Sequence, residues 1–345
     1  MTALLAAWLH TIDPYAIRLW DGGPIRWYGL SYLLGFFIAY VLVRRVARVG
    51  ESTLDYRRAG DLVITFAIGI VVGGRLGYVF FYRPDLLTDF TGSLPFWGLL
   101  DISRGGMASH GGMIGGLVAA WWFARRNKQP MLHTFDLLAF AAPLGLFCGR
   151  VANFINGELI GRRASPDFPL AVKFPQEIFE SQETVDAMTA AYGKPLPRNW
   201  LDLLQSGNEA LQQAAASVLP ARHPSQLYAA GLEGLVVFAV LALIWVKPRR
   251  MGTIAGAFGI TYAIMRLINE NFRQPDTHLG LQALGLSRGQ WLSVPLLLVG
   301  VGLIAFVYRL KSPAMGGWRR GPWTQKAVKG VDDLGSRSLN PRREP

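Results

Sequence analysis

Long apolar segments that end in basic clusters recur along this chain, and they constrain its fold more than any other feature. A helix needs about 20 mainly apolar residues to cross the hydrocarbon layer of a membrane. We predict a transmembrane helix in each of seven segments: about Trp27–Leu42, Leu62–Phe81, Gly111–Phe123, Phe135–Phe154, Leu227–Val246, Ile254–Ile268 and Trp291–Tyr308. The pattern predicts an all-α integral membrane protein, a bundle of seven transmembrane helices.

The composition supports a membrane protein and argues against several other classes. Of the 345 residues, 51% are hydrophobic and only 17% are charged, whereas soluble domains carry about 25% charged residues. The net charge of +12 comes from basic residues between the apolar segments, which indicates anionic membrane lipids and not nucleic acid as partners. The single cysteine, Cys148, excludes an intrachain disulfide framework. Five histidines without ligand spacing give no sign of a metal site, and we expect no cofactor.

The basic clusters also predict the orientation of the chain. They follow the first, third, fifth and seventh predicted helices, and clusters of lysine and arginine mark the cytoplasmic ends of transmembrane helices. We therefore place the N-terminus and residues 157–224 outside and the C-terminus in the cytoplasm.

Three regions follow from this topology. Residues 1–24 form an external N-terminal segment without the basic start of a cleaved signal peptide, and a short interfacial helix around Leu4–Leu9 is one interpretation of it. Residues 25–311 form the membrane domain, which includes a polar external head segment, 157–224, with helix expected around Asn199–Val218. Residues 312–345 form a basic cytoplasmic tail that we expect to be disordered.

Polar residues inside the predicted helices are the strongest functional signal. A charged residue at the centre of a membrane helix costs about 2.5–3.5 kcal/mol, so such residues face cavities or partners. Arg150 and Asn153 share a helix face at i, i+3, and Tyr262, Arg266 and Glu270 form a stripe at i, i+4, i+8. Arginine offers paired donors and a permanent charge, which suit a phosphodiester. We predict that Arg150 and Arg266 bind such a group.

Other polar positions allow two interpretations each. Arg75 either joins the same site or extends to the membrane surface. Glu233 and Gln226 are better explained as hydrogen bonds between packed helices, whereas Glu158 and Glu270 could orient the arginines. His110 precedes a glycine-rich helix start where a headgroup could approach the backbone, although membrane glycines more often serve close packing.

At this point the motifs resemble the prolipoprotein diacylglyceryl transferase family. They extend in order from about Ile25 to Tyr308, and the most specific block is Asn153-Phe154-Ile155-Asn156-Gly157-Glu158. The others are Trp27-Tyr28-Gly29-Leu30, Gly73-Gly74-Arg75-Leu76-Gly77-Tyr78, Gly105-Gly106-Met107 with His110-Gly111-Gly112, Gly149-Arg150 through Gly161-Arg162, His223-Pro224-Ser225-Gln226-Leu227-Tyr228 and Arg266 through Asp276.

The resemblance implies a function. Enzymes of this family transfer the diacylglyceryl group of phosphatidylglycerol to the lipobox cysteine of a preprolipoprotein and release glycerol 1-phosphate, the first step of bacterial lipoprotein maturation. It implies a location in the bacterial plasma (inner) membrane, where the predicted orientation makes the outer side periplasmic. It also implies that Arg150 and Arg266 handle the phosphate. It also implies functional roles for further residues, which are Tyr28, His110, Gly111, Asn153, Glu158, Gly161, Tyr262 and Glu270.

The implied reaction needs a base, because a thiol with a pKa of about 8.5 is mostly protonated near neutrality. His110 is the candidate, since histidine ordinarily titrates near neutral pH. The chain departs from the family pattern just before this residue. Ser103 and Arg104 stand where a Trp-Asp pair is expected, which weakens any proposal that an acidic residue orients His110.

Two other classes of function remain open from the sequence. Intramembrane charges also occur in transporters, but we find no inverted repeat, and the charges lie near the outer helix ends. A lipid-binding module without catalysis would use the same arginines. A metal-dependent phospholipid enzyme would require carboxylate clusters that the sequence lacks.

Overall fold

The structure is a computed structural model, and it describes residues 7–18, 24–92, 95–101, 105–274 and 285–321. It is mostly helical. The α-helices are α1 (Trp27–Val49), α2 (Ala59–Tyr82), α3 (Ser109–Arg126), α4 (Met131–Asn156), α5 (Gln182–Tyr192), α6 (Trp200–Gln205), α7 (Glu209–Val218), α8 (Ser225–Ala229), α9 (Val237–Ile244), α10 (Thr253–Glu270) and α11 (Arg288–Arg309). The strands are β1 (Trp8–Leu9), β2 (Tyr15–Arg18), β3 (Pro24–Arg26), β4 (Val172–Lys173), β5 (Arg249–Arg250) and β6 (Ala314–Met315).

Several helical segments have the length and composition to cross a membrane. Among the described residues there are five, namely Trp27–Val49, Tyr56–Tyr82, Met131–Asn156, Ser225–Ile244 and Arg288–Arg309. This identifies a multi-pass membrane protein. The remaining two predicted spans correspond to α3 and α10, each of 18 residues. Both carry several polar side chains and glycines, which lower their apolar character.

The chain folds as two compact units. The first contains Met1–Gly35, Pro143–Val240 and Gly259–Val301, and the second contains Phe36–Ala142, Leu241–Phe258 and Gly302–Pro345. Several helices therefore contribute one part of their length to each unit.

In the second unit, α2 and α3 pack as an antiparallel pair through glycines. A Cβ atom added to Gly73 would lie 2.4 Å from the carbonyl oxygen of Gly111, and one added to Gly111 would lie 2.3 Å from that of Gly73. Side chains at these positions would force the helices apart, so the small residues allow backbone contact. The glycine-rich start of α3 thus serves close helix packing, one of the two roles considered for it from the sequence.

Arg75 also has a structural position in the second unit. Its side chain is buried and donates to the carbonyl oxygens of Gly98, Leu99, Gly105 and Gly106, at 2.6–3.1 Å. The guanidinium thus satisfies the backbone of the segment before α3. The prediction that Arg75 extends to the membrane surface is wrong, because these carbonyl groups hold it inside the protein.

The beginning of the C-terminal tail is ordered, which corrects part of the prediction for residues 312–345. Strand β6 pairs antiparallel with β5. The fully buried Trp245 donates its indole N–H to the carbonyl of Met315 at 3.0 Å, and Trp318 donates to that of Ala242 at 2.8 Å. Buried indoles need such partners. Residues 322–345 lie outside the described part of the chain.

In the first unit, the segment between α4 and α8 has its own hydrophobic core. Helices α5, α6 and α7 surround buried side chains that include Ile178, Met188, Trp200, Leu204, Leu211 and Leu219. Helix was predicted only around Asn199–Val218, and α6 and α7 lie there; α5 was missed. Buried Arg222 donates its Nε–H to the carboxylate of Glu177 at 3.0 Å. The two buried charges of this segment therefore form an ion pair.

The N-terminal segment joins the same unit through strands. Strand β1 pairs parallel with β4, and the Trp8 N–H donates to the Ala171 carbonyl at 2.9 Å. Trp8 and Leu9 are therefore extended, so the predicted interfacial helix does not include them. Residues 4–6 lie outside the described residues.

His10 follows β1 and is fully buried among aromatic rings. Its ring centroid lies 5.5 Å from that of Trp8 and 5.3 Å from those of Phe154 and Phe174. Burial among apolar groups disfavours the imidazolium form and lowers the pKa of His10 from 6.5 to about 4. The histidine is therefore held neutral at physiological pH.

This burial predicts an acid sensitivity of the fold. As the pH falls, the unfolded chain protonates His10 before the folded protein does. The contribution of His10 to the free energy of unfolding should therefore be constant above about pH 6.5. It should decline by about 3 kcal/mol between about pH 6.5 and 4. A His10→Phe variant should lose that part of the decline, measured as melting temperature in detergent from pH 7.5 to 4. The exposed Ile17→Thr variant should keep it. Equal slopes for His10→Phe and the unchanged chain would contradict the prediction.

Candidate functional site

One buried carboxylate connects the two arginines that the sequence analysis singled out. Glu233 is fully buried, and its Oε2 accepts from Nε and Nη2 of Arg150 at 3.1 and 2.8 Å. Its Oε1 accepts from Nη1 of Arg266 at 3.1 Å. The two guanidinium groups, on α4 and α10, therefore bind opposite oxygens of the same side chain.

The local helix geometry explains how Glu233 reaches both arginines. Residues Ala230–Val236 between α8 and α9 form a π-helical segment, and Glu233 lies in its middle. A π-segment inserts an extra residue into an α-helix and turns the side chains that follow, and such segments occur often at functional sites. We refer to Ser225–Ile244, which includes this segment, as span five.

Further groups balance and orient the arginine pair. Arg266 Nη2 lies 2.8 Å from Oε2 of Glu270, one turn later on α10, and Ser287 donates to the other oxygen of Glu270 at 2.8 Å. Asn269 donates to Glu233 at 3.2 Å, and the Tyr262 hydroxyl interacts with Arg150. Two positive and two negative charges thus neutralise one another.

A second polar pair lies at the end of α4. Nδ2 of the buried Asn153 donates to the carboxylate of the exposed Glu158 at 2.7 Å. The partner of Glu158 is therefore an amide, and among the described residues its carboxylate makes no ion pair with Arg150 or Arg266. Its orientation of the arginines stays a prediction.

The loop that follows α4 has an unusual backbone conformation, and side chains of α8 hold it in place. Leu159 has φ of 56°, a left-handed conformation that costs energy for a residue other than glycine. Gln226 donates to the carbonyl of Glu158 at 2.7 Å, and Ser225 donates to that of Leu159 at 3.0 Å. Both donors are buried. The beginning of span five therefore fixes the loop that carries Glu158.

Two further residues predicted to be functional, Gly161 and Tyr28, also lie in the first unit. A Cβ atom at Gly161 would lie 2.2 Å from the carbonyl oxygen of His223, so only glycine fits between the loop and that backbone. The Tyr28 ring lies 5.2 Å from that of Tyr32, one turn later on α1. Tyr32 in turn interacts electrostatically with Glu158 and Arg150. This places α1 next to the polar groups of α4.

The remaining predicted residues, His110 and Gly111, belong to the second unit. His110 is half-buried in the first turn of α3. Gly111 packs against the backbone of α2 as described above, and this close contact explains its small size without a ligand. Within the described residues, no group of three or more histidine, cysteine, aspartate or glutamate side chains could hold a metal ion.

This arrangement is suited to binding a phosphate ester. Glu233 uses two of the five N–H donors of Arg150 and the Tyr262 hydroxyl also interacts with this side chain. Donors still remain for a further acceptor, and the Arg150 side chain is 19% exposed. Fixed, partly dehydrated donors stabilise negative charge more strongly than donors in water do.

Comparison with known proteins decides the family. A family model described as prolipoprotein diacylglyceryl transferase matches residues 14–306. This chain belongs to the prolipoprotein diacylglyceryl transferase family. The resemblance that the sequence motifs indicated is therefore confirmed.

Curated relatives named phosphatidylglycerol–prolipoprotein diacylglyceryl transferase cover most of the chain. The protein from Bdellovibrio bacteriovorus is 43% identical over 91% of this chain and 97% of its own length. Those from Neisseria gonorrhoeae and Polaromonas naphthalenivorans are 42% and 39% identical, over 86% and 85% of this chain and 96% and 94% of their own lengths.

The transferase family motifs did not reveal every residue of this site. Sequence reasoning explained Glu233 and Gln226 as hydrogen bonds between packed helices, and Glu233 does bond residues of α4 and α10. The sequence did not indicate that its partners are Arg150 and Arg266, or that Gln226 bonds the backbone of Glu158. Tyr32 was missed, although its i+4 spacing from Tyr28 was a usable signal. Residues 102–104 and 275–284 lie outside the described residues, and they include Ser103, Arg104 and the Pro275-Asp276 end of one motif.

Proposed function

We propose that this protein transfers the diacylglyceryl group of phosphatidylglycerol to the lipobox cysteine thiol of preprolipoproteins. The product is a thioether, and glycerol 1-phosphate is released in this first step of lipoprotein maturation. The names of the relatives support the substrates and the reaction. The observation that carries the proposal is the pair of arginines joined through Glu233.

In the proposed reaction, Arg150 and Arg266 bind the phosphate of phosphatidylglycerol. The cysteine sulfur attacks the glyceryl C3 carbon, the carbon–oxygen bond to the phosphate breaks, and the electron pair stays on the departing oxygen. Negative charge then develops on the phosphate that the guanidinium groups hold. The headgroup is positioned by Tyr28, Asn153, Tyr262, Glu270 and the backbone near Gly161.

The thiol must lose its proton before or during the attack. His110 is the proposed base, and Gly111 follows it in the α3 turn. Glu158 is one alternative, because Asn153 holds its exposed carboxylate and both Glu158 and Arg150 interact electrostatically with Tyr32. Glu270, which pairs with Arg266, is the other. The proton of the thiol passes to one of these groups, and no cofactor is needed to balance the reaction.

The choice of base predicts a change in pH dependence. His110→Asn should slow transfer and flatten the pH–rate profile near neutrality, because the variant lacks the proposed base. The measurement is the transfer rate to a lipobox peptide from pH 5.5 to 8.5. A profile of unchanged shape would assign the base elsewhere, and Glu158→Gln and Glu270→Gln would then identify it.

The proposed activity can be tested by mass. Purified protein incubated with phosphatidylglycerol and a lipobox peptide should add one diacylglyceryl mass to the peptide cysteine. A peptide of unchanged mass, despite bound phosphatidylglycerol, would refute the transferase and support a lipid-binding module. Flux of a solute through proteoliposomes without any mass change would support a transporter.

We also propose the topology and the regions predicted from the sequence. Seven spans, including α3 and α10, would cross the bacterial inner membrane, with the N-terminus and head segment 157–224 periplasmic and the C-terminus cytoplasmic. The positions of the basic clusters and the separate core of the head segment support this topology. Single cysteines introduced at head positions should react with a membrane-impermeant maleimide in intact cells once the outer membrane is permeabilised. Protection of those cysteines would overturn the orientation.

A further inference from the structure

Three arginines converge on one tyrosine ring where α1 ends and α2 begins. The guanidinium carbons of Arg44, Arg48 and Arg57 lie 5.5, 5.9 and 5.7 Å from the ring centroid of Tyr56. A cation within about 6 Å of an aromatic ring is attracted to its face. We call these four residues the Tyr56 cluster.

The Tyr56 cluster is crowded with positive charge. Among the described residues, none of its three arginines has a carboxylate within ion-pair distance. Asp55 is adjacent: its side chain accepts the backbone N–H of Arg57 and caps the short helix Tyr56–Arg58, and its charge also acts on Arg57. One carboxylate offsets only part of the charge of three arginines. Like charges in proximity repel, so the cluster would be stabilised by an added anion.

Membrane orientation alone does not explain this convergence. Arg125 and Arg126 at the end of α3 show the simpler arrangement, in which each lies over one tryptophan a turn earlier, at 5.9 and 5.8 Å. They lie on the same side as the Tyr56 cluster, because α2 and α3 are antiparallel and Arg58 donates to Asn127 at 2.6 Å. Both sets satisfy the charge rule, but only the Tyr56 cluster gathers three cations around one ring.

An exposed apolar strip continues from the cluster along α1. Phe37 and Val41 are 61% and 45% exposed, and with Arg44 and Arg48 they lie on one face at i, i+4, i+7 and i+11. Apolar side chains followed by cations along one helix face match an anionic phospholipid, whose acyl chains lie beside its phosphate. A soluble phosphate would use the cations alone.

We propose that the Tyr56 cluster binds the phosphate of an anionic phospholipid in the leaflet at the α1–α2 connection. The acyl chains of this lipid lie along Phe37 and Val41. The bound lipid is a structural ligand, separate from the substrate bound by Arg150 and Arg266. The proposal does not depend on the transferase reaction.

The test compares two variants with the same change in charge. Arg48→Gln/Arg57→Gln removes two cations from the cluster, and Arg125→Gln/Arg126→Gln removes two from the end of α3. Arg44 is left unchanged because it donates to the Tyr40 hydroxyl. The full chain in detergent is titrated with phosphatidylserine, with phosphatidylcholine and with inorganic phosphate, and bound lipid is counted by native mass spectrometry.

We expect the unchanged chain and the α3 variant to bind phosphatidylserine in preference to phosphatidylcholine. The cluster variant should lose about tenfold or more in affinity for phosphatidylserine, since each arginine near a membrane surface contributes about 1 kcal/mol toward anionic lipid. Equal losses in the two variants would overturn the proposal in favour of nonspecific attraction. Displacement of the lipid by millimolar inorganic phosphate would overturn the lipid assignment.

A second variant keeps the test valid if the double variant does not fold. Tyr56→Leu removes the ring but none of the arginines, and it should also weaken phosphatidylserine binding because the cations lose their common contact. Unchanged binding by a folded Tyr56→Leu protein would contradict the proposed cluster site.

Discussion

Replacing Arg150 with alanine should abolish diacylglyceryl transfer while leaving the protein folded. In the proposed reaction the variant loses a donor to the phosphate. We expect the rate to fall by at least about a thousandfold, the upper range for loss of one donor that stabilises developing charge. Folding should survive because Glu233 keeps its contacts with Arg266 and Asn269. The measurement is the mass shift of a lipobox peptide over time.

Arg125→Ala is a suitable control for this experiment, since it removes an exposed arginine of the second unit. It should transfer at nearly the normal rate. Arg150→Lys should recover little activity, because a lysine cannot supply the paired donors of a guanidinium. Normal transfer by a folded Arg150→Ala protein would remove the arginine pair from the mechanism.

Replacing Glu233 should have the largest effect on stability. Glu233→Ala leaves two guanidinium groups without their common partner, and loss of one member of a buried ion pair costs about 3–5 kcal/mol. We expect a marked decrease in melting temperature in detergent together with loss of transfer. Glu233→Gln should be intermediate, because the amide keeps the shape and one acceptor but removes the charge.

The exposed pair of Arg83 and Asp85 provides the comparison. Its side chains are 53% and 58% exposed, and exposed ion pairs contribute little to stability. Asp85→Asn should therefore leave both the melting temperature and the transfer rate nearly unchanged. If Glu233→Gln behaved like Asp85→Asn in both measurements, Glu233 would be neither a structural nor a functional partner of the arginines.

The positions of the two arginines in the chain could be predicted because charge in a membrane helix is costly. Arg150 and Arg266 stood out among apolar neighbours, and the Arg266–Glu270 pair followed from helical spacing. The role of Glu233 could not be predicted in the same way. Its direction depends on a π-helical segment, and neither hydrophobic periodicity nor residue type indicates where such a segment occurs.

For Arg75, the sequence indicated a costly charge but not the groups that bind it. Its cost in the membrane was recognised, but four backbone carbonyl groups satisfy it, and these come from a segment about 25 residues later in the chain. Such backbone partners leave no pattern in the sequence. Strand β1 was missed for a related reason, because its two residues pair with a strand more than 150 positions away.

The ordered start of the tail restricts where the chain can be shortened or fused to other proteins. A truncated chain that stopped after Lys311 would lack Met315 and Trp318, and the indole of Trp245 would lose its acceptor in the interior. Affinity tags and reporter proteins are therefore better attached beyond Gly321, where they leave the pairing of β5 with β6 intact.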